Sequence, residues 1–122
     1  MRVNYQIVYV SDMKRSVSFY RDVLGIPLKF ESPGWTEFAT EGATLALHAA
    51  EAPAAEKEDP RMLRAGRCCA GFAVPSLADF HKKMLERKVP CVQEPTQVFG
   101  AWVAQYVDPD GLTISVGETR KG

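Results

Sequence analysis

A histidine, two tryptophans, several tyrosines and a cysteine are the side chains whose type and spacing bear most directly on chemistry. His48 ends the run ATLALHA, where it alternates with Leu45 and Leu47 and shares the parity of Thr44 and Ala46. On a strand that parity turns its imidazole away from the leucines. There it either meets a ligand and moves a proton, or is a hydrogen-bonded histidine at a strand end. Trp35 and Trp102 open two similar segments, GWTEFAT and GAWVAQYV. Their faces either flank a pocket and stack on a flat or cationic ligand, or fill a core. Tyr5, Tyr9 and Tyr106 add phenols expected on the same inward side, as polar contacts or as space-fillers. Cys69 is a candidate thiol nucleophile, but nothing in CCAGFAV supplies a neighbouring base or cation, so a buried, inert thiol is expected. Glu37 is either a general base or a solvated strand residue. No catalytic residue is assigned from these side chains.

The elements that must position them repeat. YQIVYVSDMKRSVSFYRDVLG, from Tyr5 to Gly25, reads as a strand, a turn and an amphipathic helix. Tyr5, Ile7 and Tyr9 alternate with Gln6, Val8 and Val10, a period of two. Asp12 caps a helix predicted from Met13 to Leu24, with Val17, Tyr20 and Leu24 as its apolar stripe, and Gly25 ends it. IPLKFES, WTEFAT and ATLALHA follow as three strands separated by turn residues. After the segment from Glu51 to Gly66, rich in Ala, Glu and Pro, the order returns. CCAGFAV is a strand, and Ser76 caps a helix predicted from Leu77 to Lys88 with a stripe of Leu77, Phe80, Met84 and Leu85. VPCVQEP, GAWVAQYV and LTISVGE complete the second copy. The pattern is βαβββ twice, an α+β duplication whose copies differ only by small loop-length changes. It predicts one domain over 1–122: a first module at 1–50, an exposed connector at 51–66 with a helical turn near Arg61 to Arg64, and a second module at 67–118.

Bulk composition narrows the function classes. The chain has 122 residues, 46% of them hydrophobic, enough for a core without disulfides or structural metal. Its 15 basic and 15 acidic residues cancel, which argues against a nucleic-acid partner, since tracking phosphates needs a basic face. No apolar run approaches the ~20 residues that span a bilayer, so no membrane partner is expected. Three cysteines cannot all pair within one chain, and a reducing cytoplasm with free thiols is the plain expectation.

The pattern Val10, Asp12, Ser16, Phe19, Tyr20, Leu24, Gly25, together with the Asp108-Pro109-Asp110-Gly111 turn, resembles the vicinal oxygen chelate superfamily. That group includes glyoxalase I, extradiol dioxygenases, and the fosfomycin- and bleomycin-resistance proteins. The resemblance covers nearly all of the chain outside the connector. It implies curved sheets around a cavity, completed in most members by a second copy with exchanged modules, and a homodimer is expected. It also implies four cavity positions that carry His, Gln or Glu in metal-using members. In this chain those positions fall on Tyr5, Ala46 (with His48 two residues along), Cys69 and Ser115. A phenol, a methyl, a thiol and a hydroxyl make a poor divalent-metal site, so no metal and no cofactor are expected. The resulting expectation is a protein that binds a small organic molecule in a mostly apolar cavity. Tyr5, Tyr9, Trp35 and Trp102 form the walls, Cys69 sits nearby, and His48 and Ser115 supply hydrogen bonds. The competing classes are a lyase or dioxygenase with an atypical metal site, a metal-free isomerase using His48, and a regulatory scaffold with a filled cavity.

Overall fold

The computed structural model describes residues 3–50 and 68–119. The chain divides into two compact units, residues 1–56 and 57–122. The predicted connector and its helical turn lie outside the described residues.

The first unit runs β1 (Tyr5–Val10), α1 (Met13–Ser18), a π-helical continuation (Phe19–Val23), β2 (Leu28–Phe30), β3 (Trp35–Phe38) and β4 (Thr44–Ala49). Its four strands lie in the order β1-β4-β3-β2. β1 is parallel to β4, and the remaining pairs are antiparallel. A parallel pair needs a long crossover, and the helix with the two intervening strands provides it. Asp12 caps α1 by accepting from the Arg15 amide at 3.1 Å. The predicted helix is present but does not stay α-helical. At Phe19 it widens, the Leu24 amide donating to the Phe19 carbonyl at 3.0 Å, and Gly25 at φ 80° follows. The wider turn brings adjacent Phe19 and Tyr20 into the interior together, with ring centroids 5.1 Å apart. The buried stripe is therefore Ser16, Val17, Phe19 and Tyr20, and Leu24 is only half-buried.

That helix covers one face of the sheet. Val8, Val10, Thr36, Phe38, Leu45 and Leu47 are buried on it, and the Tyr20 ring lies 6.1 Å from that of Phe38. Burying each of Tyr20, Phe38 and Leu47 contributes about 1.5–3 kcal/mol relative to exposure.

The second unit repeats the plan: β5 (Gly71–Val74), α2 (Leu77–Glu86), β6 (Cys91–Val98), β7 (Ala101–Val107) and β8 (Thr113–Glu118), in the order β5-β8-β7-β6. Ser76 caps α2 through the Asp79 amide at 3.3 Å, and Glu118 at the end of β8 accepts from the Leu77 amide at 3.1 Å. The helix stops at Glu86, short of the predicted Lys88, because Lys88 takes a left-handed conformation at φ 57°. Leu77 and Met84 are buried as expected, but Leu85 is 58% exposed. One residue is a rotation of about 100° on an α-helix, which carries Leu85 out of the stripe. The two units are α+β sheets of matching topology, as the repeat predicts.

Candidate functional site

The face of the first sheet away from α1 is aromatic. β1 contributes Tyr5, Ile7 and Tyr9, β4 contributes Thr44, Ala46 and His48, and β3 contributes Trp35 and Glu37. Pairing of Tyr9 with His48, Ile7 with Ala46, Trp35 with His48 and Glu37 with Ala46 puts all of them on one side. Tyr5, Ile7 and Tyr9 are 48%, 40% and 66% exposed, an unusual load of apolar surface for three residues of one strand.

Four rings on this face form a connected series. Tyr5 meets Trp35 edge-on at 6.1 Å, Trp35 stands at 90° to His48 at 5.9 Å, and His48 lies tilted against Tyr9 at 5.2 Å. Edge-to-face and tilted contacts are the arrangements that aromatic quadrupoles favour. Trp35 is held in place on this face: its indole Nε1–H donates to Glu37 Oε2 at 3.0 Å, and Lys29 Nζ lies 3.9 Å from Glu37 Oε1. Glu37 is thus neither a free base nor a bystander, because it fixes the indole. Residues two apart on a strand share a face, so the pairing of Trp35 with Glu37 was readable from WTEFAT. The ring of His48 is fixed as well, with Nδ1 2.7 Å from the Ala49 carbonyl oxygen.

The remaining candidates belong to the second unit. Ser115 is half-buried on the face of β8 away from α2, between Gly71 of β5 and Gln105 of β7. Cys69 precedes β5 and is exposed, contrary to the expectation of a buried thiol. Trp102 is on the other side. It shares the parity of Ala104 and Tyr106, both fully buried on the α2 face, whereas Ser115 pairs with Gln105. The two tryptophans are therefore not equivalent. Trp35 pairs with His48 as Val103 pairs with Gly117, so the second-unit counterpart of Trp35 is Val103. Tyr106, expected among the inward phenols, is instead beneath α2 with its hydroxyl 2.9 Å from His81 Nδ1. Burial, with a smaller contribution from Cys91, pushes this phenol up to about 12. Where the first sheet carries Ile7, Tyr9, His48 and Trp35, the second carries Gly71, Ala73, Gly117 and Val103. Among the described residues, the ring cluster on the face away from the helix has no counterpart in the second unit.

Tyr5, Ala46, Cys69 and Ser115 do not fit a divalent cation. Ala46 has no donor atom, and a protonated phenol, a thiol and a hydroxyl are weak ligands for one. Among the described residues no three His, Cys, Asp or Glu side chains gather as a metal would require. A separate open hollow of about 330 Å³, lined by Asp12, Met13, Lys14, Glu31, Ser32 and Pro33, contains none of the candidate residues.

Duplicated βαβββ units with this strand order define the glyoxalase-like class of α+β proteins, and the chain belongs to it. Residues 2–116 match the model of the Glyoxalase/Bleomycin resistance protein/Dioxygenase superfamily. The chain is 33% identical over 117 residues to the phenazine antibiotic resistance protein EhpR of Enterobacter agglomerans, covering 93% of this chain and 88% of that one. Among solved structures, a glyoxalase/dioxygenase from Nostoc punctiforme superposes with a TM-score of 0.83 at 20% identity, covering 98% of this chain and 92% of its own. A protein of unknown function from Agrobacterium tumefaciens superposes at 0.79 with 26% identity, covering 98% and 95%. No described helix is long and apolar enough to cross a membrane.

Proposed function

We propose that this protein binds a small, flat organic molecule of the phenazine type on the aromatic face of its first sheet, without a metal ion. The observation that carries the reading is the ring series Tyr5–Trp35–His48–Tyr9, open to solvent, with Glu37 fixing the indole beside it. A fused aromatic ligand offers this surface one extended apolar plane. Covering about 100 Å² of it is worth about 2.5 kcal/mol before the costs of association. Stacking geometry adds about 0.5–1.5 kcal/mol for each ring pair. The relative EhpR, named for resistance to a phenazine antibiotic, supports the same ligand class. We also propose that the protein works as a homodimer and resides in the cytoplasm, in keeping with free thiols at Cys68, Cys69 and Cys91.

Phenazine titrated into the protein tests the reading through tryptophan fluorescence and thermal shift. Quenching is expected in the wild type and in Trp102→Phe, and its loss in Trp35→Phe. The melting temperature should rise with phenazine concentration, equally with and without a chelator. Absence of both signals up to the solubility limit, or binding abolished by chelation, overturns it.

A further inference from the structure

Resting on the reading above, the geometry points to a narrower ligand class: we infer that His48 selects flat ligands that carry a hydrogen-bond donor, a hydroxyl or N–H, at the ring edge. The inference follows from which imidazole nitrogen is engaged. Nδ1 lies 2.7 Å from the Ala49 carbonyl oxygen, and a carbonyl oxygen can only accept. In the neutral ring the proton must therefore sit on Nδ1, because the other tautomer would set two lone pairs against each other at that distance. Nε2 is left as a bare acceptor. It is one of the two ring atoms farthest from the main chain, and among the described residues it has no hydrogen-bond partner.

The surroundings hold that assignment in place. Trp35 stands perpendicular to the imidazole on one contact and Tyr9 leans on it at 45° on another, so rotating the ring would disturb both. Glu37, on the same face, is engaged by the Trp35 indole N–H, with Lys29 nearby, and the Thr44 hydroxyl there can donate as well as accept. The hydroxyls of Tyr5 and Tyr9 can donate or accept and so discriminate little. His48 Nε2 is thus the place where a ligand atom must donate. A ligand that covers Nε2 without donating strips it of water and leaves it unpaired, and unmet polar groups discriminate more strongly than apolar contacts do.

The test compares phenazine, 2-hydroxyphenazine and 2-methoxyphenazine at a pH where the hydroxyl keeps its proton, with wild type and His48→Phe. In the wild type the hydroxyl compound is expected to bind about tenfold or more tighter than the methyl ether. In His48→Phe, which keeps a ring but no acceptor, that ratio is expected to fall to about one. Equal wild-type affinities for the two substituted compounds overturn the selectivity while phenazine binding still upholds the ligand class. Failure of all three to bind overturns both. Nitrogen NMR of the imidazole in the free protein is independent of how the variant folds: an Nδ1–H ring is expected, and an Nε2–H ring overturns the inference.

Discussion

Tyr106 lies fully buried on the α2 side of the second sheet, between the rings of Phe80 and His81, and its hydroxyl meets His81 Nδ1. Its phenol is pushed up to about 12, first by burial and then by Cys91. An ordinary tyrosine titrates near 10, so the unfolded chain gives up this proton before the folded chain does. The folded form then holds more protons between those values, and stability falls as pH rises from about 10 to about 12. Urea midpoints measured across that window should decline in the wild type and decline less in Tyr106→Phe. Equal slopes would mean that this hydroxyl does not set the alkaline limit. Strand parity alone gives two faces without naming them. Tyr106 is expected with the inward phenols, and only pairing with β8 and packing of α2 show that its parity is the covered one.

At the scale of elements, the β6–β7 hairpin carries the clearest local misfit. Val98 pairs with Ala101, leaving a two-residue loop of Phe99 and Gly100 with φ of 50° and 79°. Two positive φ values are the mark of a type I′ turn, which favours Asn-Gly. Phe99 occupies the left-handed position with its side chain 98% exposed, so its ring makes almost no contact that offsets the strain. Phe99→Asn is expected to stabilise the fold by about 1 kcal/mol, read as a higher thermal midpoint. The two tryptophans look equivalent because each closely follows a glycine, but Trp35 is one residue past Gly34 and Trp102 is two past Gly100. On a strand that one-residue offset reverses the face. The helices were more plainly legible. Asp12 and Ser76 act within three residues of themselves, and those caps are where the sequence places them. The π-helical turn at Phe19 was not, because a 3.6-residue period assumes the geometry that the turn departs from.

For the whole molecule, the proposed homodimer has a direct check. Sedimentation at micromolar concentration should give twice the 13.5 kDa of the chain. Wild type sedimenting as a single chain would sink the dimer but leave the aromatic face intact.

What the sequence determined by itself was the set of elements and their duplication. Alternation, helix caps, turns and repeats depend on neighbouring residues and on backbone geometry, which any local stretch already carries. What only the tertiary structure decided was which faces became surface. Strand pairing and helix cover place Trp35 against His48 and Glu37, send Trp102 and Tyr106 to the opposite side of their sheet, and leave Cys69 exposed. The imidazole tautomer followed in turn, because the orientation of a ring depends on contacts that distant segments impose.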